Sequence, residues 1–454
     1  MKLNPKTYQA YKLFHDGVLA FARAEAAGLR VDVDYITHKK EHIIYKIARI
    51  EKQFKATNFY KHWAHTTGGK VNINSGHQLG NFLYGTKKLT PPKLTPNGYG
   101  STDEESLRQL NIPELDMLFE RGRLKKAYDV LCGFEREQVN GYIHPFFNLH
   151  LVRTFRSSSD HPNFQNIPKR DATIMELCRR ALYPRSGHQF VEIDYGQLEV
   201  RIAACYNQDQ KLIHDILHGD MHSDMAAQIF CVDDFNKTLP EHYVLRQATK
   251  NGFVFPQFYG DYYKNCANYM ASEWCKLPQG IWSAGQGLKY VTGNIADHLI
   301  SKGIKSFDAF TAHIKRIEDD FWGNRFEEYA AWKERWWRIY NKYGYIDLLT
   351  GFRCSGVMTR NDVTNYPVQG AAFHCLLWSF IELDRLMRLE HWKTRLVGQV
   401  HDSILLDVHP SELDYIVYTA KRVTTELLPK AWKWINVPLD IDTTIQPVDH
   451  CWVN

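Results

Sequence analysis

Two aspartates lie about two hundred residues apart in the chain, and the residues around each predict the end of a strand. Residues 191–195 alternate apolar and polar, as in a half-buried strand, so Asp194 falls at its exposed end and helically spaced apolar residues follow. Asp402 stands between two apolar runs that predict a β-hairpin with His401 and Asp402 at its tip. Carboxylates so placed suit a hard cation such as Mg²⁺. Taken singly, either motif is equally compatible with a core strand that ends in Asp.

The predicted hairpin turn departs from the usual chemistry of such turns. His401 and Asp402 are not the Asn-Gly or Asp-Gly pair that a relaxed two-residue turn prefers. A strained functional turn is one explanation, which the backbone angles at the tip can test.

A basic segment further along the chain has the pattern of a phosphate-binding helix. Arg246 and Lys250 are four residues apart, so a helix would place both cations on one face. Such a pair suits a triphosphate, whose charge Lys or Arg offsets during transfer. The alternative is an ordinary basic helix with aromatic core residues on its other side.

The composition is that of a chain with a sizeable core, because 44% of its 454 residues are hydrophobic. That length suits two or three domains or one large lobed enzyme.

The formal net charge of +5 fits a polyanionic partner without requiring one. Nine scattered cysteines without a CxxC pair argue against disulfides and structural zinc. The apolar runs are shorter than the ~20 residues of a membrane helix, and the N-terminus lacks a signal-peptide core, so we expect a soluble protein with no membrane partner.

Five stretches resemble, in order, motifs of family A DNA polymerases, the group that includes bacterial DNA polymerase I. They read RTFRSSSDHPNFQNIP, VEIDYGQLEVRIAA, DMHSDMAA, NYPVQGAA and GQVHDSILLDV. The resemblance implies a mixed α/β (α+β) fold of the right-hand type, with an antiparallel-sheet palm, helical fingers and a helical thumb. It covers the polymerase portion alone, so we expect no 3′–5′ exonuclease domain. The sequence KNGFVFPQFYG is more similar to bacteriophage members of the family than to cellular ones. This similarity implies that the protein works in the cytoplasm of a bacterial or phage-infected cell.

The resemblance also implies domain boundaries. Residues 1–140 would form the thumb with the N-terminal helices, 141–207 the first part of the palm, 208–350 the fingers and 351–454 the second part of the palm. Aromatic and basic residues alternate within 261–345. They either stack on single-stranded template bases or belong to the core, which is the commoner role at helical spacing.

The same resemblance assigns roles to site residues. Asp194, Asp402 and the backbone carbonyl of Tyr195 would hold two Mg²⁺ ions, with Mn²⁺ as a substitute. A second group would bind the nucleotide, with Glu199 as the steric gate under the sugar: Gln197, Glu199, His222, Arg246, Lys250, Phe255 and Tyr259. A third group would contact DNA, through the duplex backbone or the minor groove: Lys125, Arg156, Gln165, Asn166, Arg353, Asn365, Gln369 and His401.

One spacing differs from the family pattern. Tyr259 follows Lys250 by nine residues, one more than successive four-residue steps allow. Gly252 weakens a helix and Pro256 cannot donate to the carbonyl of Gly252. We therefore predict a one-residue bulge or kink between Lys250 and Phe255, which brings Phe255 and Tyr259 back to the expected face. Phe255 at the sugar-facing position implies discrimination against dideoxynucleotides.

Further departures concern single residues. Phe155 stands where the family usually has Gly, and Ser403 stands where bacterial relatives have Glu. Since Ser supplies no carboxylate, we expect a third acidic side chain near the metals to be absent. Asn365 and Gln369 share a helix face if Pro367 lies in the first turn. The alternative for these amides is a helix cap.

These expectations combine into template-directed DNA synthesis by two-metal-ion nucleotidyl transfer without intrinsic proofreading. The expected partners are primer–template DNA, dNTPs and a separate exonuclease or replisome protein. A single-subunit RNA polymerase has related motifs, but Glu199 argues against it. A non-catalytic DNA-binding remnant is a third reading, and retention of Asp194, Asp402, Arg246 and Lys250 argues against that.

Overall fold

The computed structural model describes residues 5–95, 97–165, 167, 171–291 and 293–453. The chain combines many helices with short antiparallel strands. Within the described ranges, each helix is too short or too polar to cross a bilayer.

The N-terminal region is helical and contains a separate small core. Phe54, Trp63, Phe82 and Phe119 lie in this second cluster, apart from the main core. Ser75 caps the short helix after it by accepting from the backbone N–H of Gln78, as its residue type favours. The elements of this region are α1 (Tyr8–Ala27), β1 (Leu29–Val31), α2 (Val33–Ala56), α3 (Asn58–Thr66), α4 (Gly76–Gly80), a π-helix (Asn81–Thr86), α5 (Glu104–Arg108) and α6 (Glu114–Glu137).

The next segment carries short strands and leads into the central sheet. It comprises β2 (Tyr142–Ile143), β3 (Phe146–Asn148), β4 (Ser158–Asp160), α7 (Ala172–Arg179), β5 (Leu182–Tyr183), β6 (Gln189–Tyr195) and α8 (Leu198–Asn207). β1 pairs with β2 and β5, and β3 pairs with β4.

A helical region with several π-turns follows. It contains α9 (Gln210–His218), α10 (Met221–Phe230), α11 (Pro240–Thr249), a π-helix (Lys250–Val254), α12 (Phe255–Tyr259), α13 (Tyr263–Asn268), a π-helix (Tyr269–Trp274), β7 (Lys289–Tyr290), β8 (Gly293–Asn294), α14 (Ile295–Ser301), α15 (Phe307–Asp320), a π-helix (Phe321–Arg325) and α16 (Glu327–Tyr343). Phe321 and Trp332 are buried in the main core, which agrees with the core reading for these two aromatics.

The C-terminal region completes the sheet. It contains β9 (Tyr345–Asp347), β10 (Arg353–Ser355), α17 (Arg360–Leu389), β11 (Arg395–Val400), β12 (Ser403–Val408), a 3₁₀ turn (Pro410–Glu412), α18 (Leu413–Arg422), a π-helix (Val423–Leu427), α19 (Leu428–Ala431) and β13 (Ile441–Ile445). The central sheet has the order β11-β12-β6-β13 with every pair antiparallel. β12 is buried along its whole length, because helices cover the sheet.

Helix α17 is the element that fastens the sheet to the N-terminal helices. The Tyr195 hydroxyl of β6 lies 2.7 Å from the Ser379 hydroxyl on this helix. Arg23 of α1 donates two hydrogen bonds to the carboxylate of Asp384, at 2.8 and 2.6 Å. Bidentate pairing of this kind fixes orientation as well as distance.

Two predictions about helices have different outcomes. The irregularity after Lys250 is confirmed, because the α-helical turns of α11 and α12 are separated by the π-helix Lys250–Val254. Asn365 and Gln369 lie four residues apart in α17, as a shared helix face requires, but the condition that Pro367 lies in the first turn is not met. A capping box of Thr359 and Asp362 starts α17 two turns earlier, and Pro367 lies inside the helix.

Gly370 sits where α17 approaches a neighbouring loop. A Cβ there would lie 2.7 Å from the carbonyl oxygen of Thr154 and 2.9 Å from Leu348. We expect Gly370→Ala to lower the free energy of unfolding by about 1–3 kcal/mol, measured by urea denaturation. Gly122→Ala in α6 is the control, since a Cβ there meets no atom within 4 Å, and it should raise that free energy by about 0.5–1 kcal/mol. Equal effects would contradict this account of Gly370.

Candidate functional site

Asp194 lies at the exposed end of β6, where the chain turns into α8. The backbone N–H of Gly196 donates to the carbonyl of Asp440 at 2.9 Å, and Gln197 adopts a left-handed conformation with φ 53°. This turn buries Leu198 and places Glu199 in the first turn of α8. A single tight turn therefore separates the strand-end carboxylate from the helix carrying Glu199.

The predicted hairpin with His401 and Asp402 at its tip is confirmed. Val400 pairs with Ser403, and His401 has a φ of 55°, a conformation that a non-glycine residue rarely adopts. The strained turn is therefore real, and it projects Asp402 from the sheet edge.

The two aspartates converge because β6 and β12 pair in register. Ser403, the residue after Asp402, is directly opposite Asp194, and the backbone N–H of Tyr195 donates to the carbonyl of Asp402 at 3.2 Å. Residues directly opposite in an antiparallel pair have Cβ atoms about 4.5–5.5 Å apart. The sheet thus brings the carboxylates predicted from distant sequence motifs to one edge.

A buried amide network supports the Asp402 turn. Gln399 is 1% exposed and its amide donates to the carbonyl of His401. Gln165 donates to the carbonyl of Gln399 at 3.2 Å and to the hydroxyl of Ser157 at 2.8 Å. The expected contact of Gln165 with DNA finds no support here, since its buried amide is committed to protein partners. The other predicted residue of that loop, Asn166, lies outside the described residues.

Ser403 brings a carboxylate near the Asp402 turn without supplying one itself. Its hydroxyl donates to Glu192 Oε1 at 2.7 Å, so a carboxylate of β6 lies beside the paired strands. The expected absence of a third acidic metal ligand stays a prediction. Sequence reasoning missed Glu192, although the signal was present. Glu192 precedes Asp194 by two residues, and strand residues two apart point to the same face.

The carboxylate of Glu199 contacts side chains from two other segments of the chain, near the aspartates. Its carboxylate forms an ion pair with Arg156 and accepts a hydrogen bond from the Tyr259 hydroxyl at 2.5 Å. Arg156 also lies 3.7 Å from Asp402 Oδ1, and Asn365 donates to the carbonyl of Tyr259 at 2.8 Å. The arginine therefore links the α8 carboxylate to the hairpin carboxylate.

These groups surround a cavity of about 240 Å³. Eight predicted site residues line it: Gln197, Glu199, Lys250, Phe255, Tyr259, Asn365, Gln369 and Asp402. A larger cleft of about 430 Å³ lies between α5, α6 and the 272–279 segment, but it contains none of the predicted residues.

Cationic and aromatic groups form the far wall of this cavity. Arg246 donates to the Asp220 carboxylate at 2.9 Å, which fixes the guanidinium one turn before Lys250. Burial opposes the ionisation of Asp220, yet hydrogen bonds from Arg246 and Lys237 hold its pKa well below the usual value. Burial, together with the charge of Arg246, lowers the pKa of Lys250.

His222 stands behind this wall. Its ring makes an edge contact with Phe255 at a centroid distance of 5.6 Å, and the residue is 3% exposed. Burial, then the charges of Arg246 and Lys250, lower its pKa to about 4. The imidazole is therefore neutral near pH 7.

Two predicted DNA-binding residues lie in other parts of the structure. Lys125 is on α6 and pairs with Asp129 at 2.6 Å. Arg353 is in the β9–β10 hairpin, where it pairs with Asp347 and stacks over Tyr345 at 3.4 Å from the ring centroid. Both side chains carry charge at the surface next to a carboxylate.

The donor set at the sheet edge is made of oxygen atoms. Within the part of the chain that the structure describes, no three His, Cys, Asp or Glu side chains are grouped to hold a metal ion. The carboxylates at this edge are those of Asp194 and Asp402. Mg²⁺ sites of this kind are completed by waters and substrate phosphates.

Comparisons with known proteins point to one family. Residues 44–450 match the sequence profile described as DNA polymerase family A. DNA polymerase I of Chloroflexus aurantiacus is 26% identical over 444 residues, covering 93% of this chain and 41% of the relative. DNA polymerase I of Aquifex aeolicus is 28% identical over 430 residues, covering 93% and 64%. The chain therefore spans less than two thirds of the length of these relatives.

A solved structure supports the fold. The POL domain of Pol1 from M. smegmatis, in complex with DNA primer-template and dNTP, superposes with a TM-score of 0.72 at 22% identity. The match covers 94% of this chain and 69% of that one. The expected fold of mixed helices and antiparallel sheet is confirmed, while the bacteriophage affinity stays a prediction.

The depressed pKa of His222 predicts a pH-dependent stability. Unfolded His takes up a proton near pH 6.5, whereas folded His222 resists protonation down to about pH 4, so its contribution destabilises the fold as pH falls through this window. Between pH 7 and pH 5 we expect wild type to lose about 2 kcal/mol more unfolding free energy than His222→Gln, by urea denaturation. His218→Gln, at an exposed position, is the control and should behave as wild type. Parallel losses in wild type and His222→Gln would contradict the assignment.

Proposed function

Since the chain belongs to DNA polymerase family A, we propose that it is a DNA-directed DNA polymerase that adds dNTPs to a primer 3′ end. The observation that carries this proposal is the pairing of β6 with β12. It brings Asp194 and Asp402 together beside a cavity lined by Glu199, Lys250 and Tyr259. A carboxylate pair facing a cationic wall matches what nucleotidyl transfer to a triphosphate requires.

We propose that Asp194, Asp402 and the carbonyl of Tyr195 hold two Mg²⁺ ions, for which Mn²⁺ can substitute. The fit rests on hard oxygen donors at an exposed strand end and on Arg156, a cation already 3.7 Å from Asp402. When bound, such ions make the primer 3′-hydroxyl easier to deprotonate and offset charge on the phosphates.

The cationic wall would receive the triphosphate. Lys250 lines the cavity, and Asp220 aims Arg246 one helical turn away. Both offset charge that develops on the phosphate oxygens. His222, being neutral, would contribute a hydrogen bond in place of a charge.

Glu199 and Tyr259 would select the sugar. The hydrogen bond between the Tyr259 hydroxyl and the Glu199 carboxylate closes one side of the cavity. Phe255 and Gln197 also line this cavity. A 2′-hydroxyl would meet the Glu199 carboxylate, so deoxynucleotides are favoured. Phe255 at this position supports discrimination against dideoxynucleotides.

DNA would lie along the open side of this cavity. Arg156, Asn365, Gln369 and His401 would contact the primer–template near the reacting end, with side chains that check shape in the minor groove. Lys125 and Arg353 would contact backbone further away. In this assignment α6 belongs to the thumb, α9 to α16 form the fingers and the four-stranded sheet is the palm.

A 3′–5′ exonuclease or replisome protein as partner is a prediction from the resemblance. The two rival functions, a single-subunit RNA polymerase and a non-catalytic DNA-binding protein, are separated from this one by the two experiments below.

Primer extension tests the carboxylate pair. Asp194→Ala and Asp402→Ala should each lower the extension rate by at least about 10³-fold, because each removes a ligand of the divalent ions that would stabilise the developing charge. Asp414→Asn, at an exposed position of α18, is the control and should retain the wild-type rate. Retained synthesis in either alanine variant would reject the site, and DNA binding without extension by the wild type would favour the binding-protein alternative.

Sugar selection is tested by comparing dNTP with rNTP incorporation. Glu199→Ala removes the carboxylate under the sugar, so we expect the preference for dNTP over rNTP to fall by about 10²-fold, roughly the discrimination of a few kcal/mol that one steric or polar contact provides. Glu426→Gln, exposed and distant along the chain, is the matched control. Efficient rNTP use by the wild type would favour the RNA polymerase alternative.

A further inference from the structure

Glu192 is held at both oxygens by buried partners. Oε1 accepts from the Ser403 hydroxyl at 2.7 Å, and Oε2 accepts from the Trp452 indole N–H at 3.1 Å. Arg179 Nη1 lies 3.6 Å from Oε2, with its guanidinium 3.9 Å from the centre of the Trp452 ring. The three partners are 1–2% exposed, so this carboxylate has one orientation.

The position of Glu192 links it to both aspartates. It lies two residues before Asp194 on the same face of β6, and its hydrogen-bond donor Ser403 directly follows Asp402. One carboxylate therefore ties the two strands together at the point where Asp194 and Asp402 leave the sheet.

The charge of Glu192 also matters. Burial lowers the pKa of Arg179, whereas the carboxylates of Glu192 and then Asp194 raise it. A buried arginine needs a carboxylate partner, and loss of Glu192 would redirect its guanidinium toward Asp194. Glu192 is thus the stronger of two carboxylates that stabilise the charge of Arg179, and Asp194 is the other.

We propose that Glu192 is a positioning residue for the metal-binding aspartates, acting through Ser403 on the Asp402 turn and through Arg179 on Asp194. The carboxylate that bacterial relatives carry on the hairpin strand is supplied in this chain by the neighbouring strand. This inference rests on the proposed function of the same site. Partners that orient metal ligands typically change metal affinity or activity by 10–100-fold when removed.

The test uses the full chain and two readouts. Glu192→Gln and Ser403→Ala each remove part of the link while preserving side-chain size. Mn²⁺ binding to the protein alone, followed by electron paramagnetic resonance, should weaken about 10-fold in both variants. The Mg²⁺ concentration for half-maximal primer extension should rise by a similar factor, with primer–template binding unchanged.

A reversed pair makes the test specific. The double variant Glu192→Ser/Ser403→Glu moves the carboxylate to the hairpin strand and should recover Mn²⁺ affinity to within a few-fold of wild type. Asp442→Asn is the matched control, because Asp442 is directly opposite Asp194 on β13 but is not bonded to Ser403. Its Mn²⁺ affinity should equal that of wild type.

Wild-type Mn²⁺ affinity in both Glu192→Gln and Ser403→Ala would overturn the inference. An equal loss of Mn²⁺ affinity in Asp442→Asn would also overturn the inference. The loss would then follow from removing any negative charge near Asp194, not from breaking the link through Ser403. Failure of the wild type to extend primers would reject the proposed function, while the Mn²⁺ readout would still decide the role of Glu192. Thermal unfolding of each variant separates a loss of fold from a loss of metal affinity.

Discussion

The register between β6 and β12 is the constraint on which the rest of the structure depends. Because Ser403 is opposite Asp194, the residue before it, Asp402, turns off the sheet beside the end of β6. A slip of one residue would move the side chains of a whole strand to the other face. The buried residues of β12 make such a slip costly, so the packing of the core also determines the distance between the carboxylates of Asp194 and Asp402.

Much of the surrounding structure keeps these strand ends in place. The buried side chain of Gln399 donates a hydrogen bond to the carbonyl of His401. His401 has a left-handed backbone conformation that is unfavourable for this residue type, and the buried hydrogen bond stabilises it. Phe155 is a parallel case: it has a φ of 61°, and its fully buried ring packs against Phe352. In both places side-chain packing stabilises a backbone conformation that the residue type disfavours.

The π-helix after Lys250 shows how an extra residue is accommodated. A π-turn absorbs one residue without ending the helix, so Phe255 and Tyr259 still face the cavity that Lys250 lines. Gly252 and Pro256 reduce the cost of leaving the regular hydrogen-bond pattern. The insertion thus alters the local backbone and leaves the cavity wall intact.

Local patterns in the sequence predicted the strand-end aspartates and the hairpin. The resemblance to family motifs implied the mixed fold and, together with Gly252 and Pro256, led to the predicted helix irregularity. These features depend on periodicity, on Gly and Pro, and on motifs a few residues long. The start of α17 also has a local signal, the capping box of Thr359 and Asp362. Tertiary structure alone decided the burial of Gln165 and the pairing of Glu192 with Ser403. Each of these depends on which distant segment packs alongside, and spacing along one segment carries no information about partners roughly two hundred residues away.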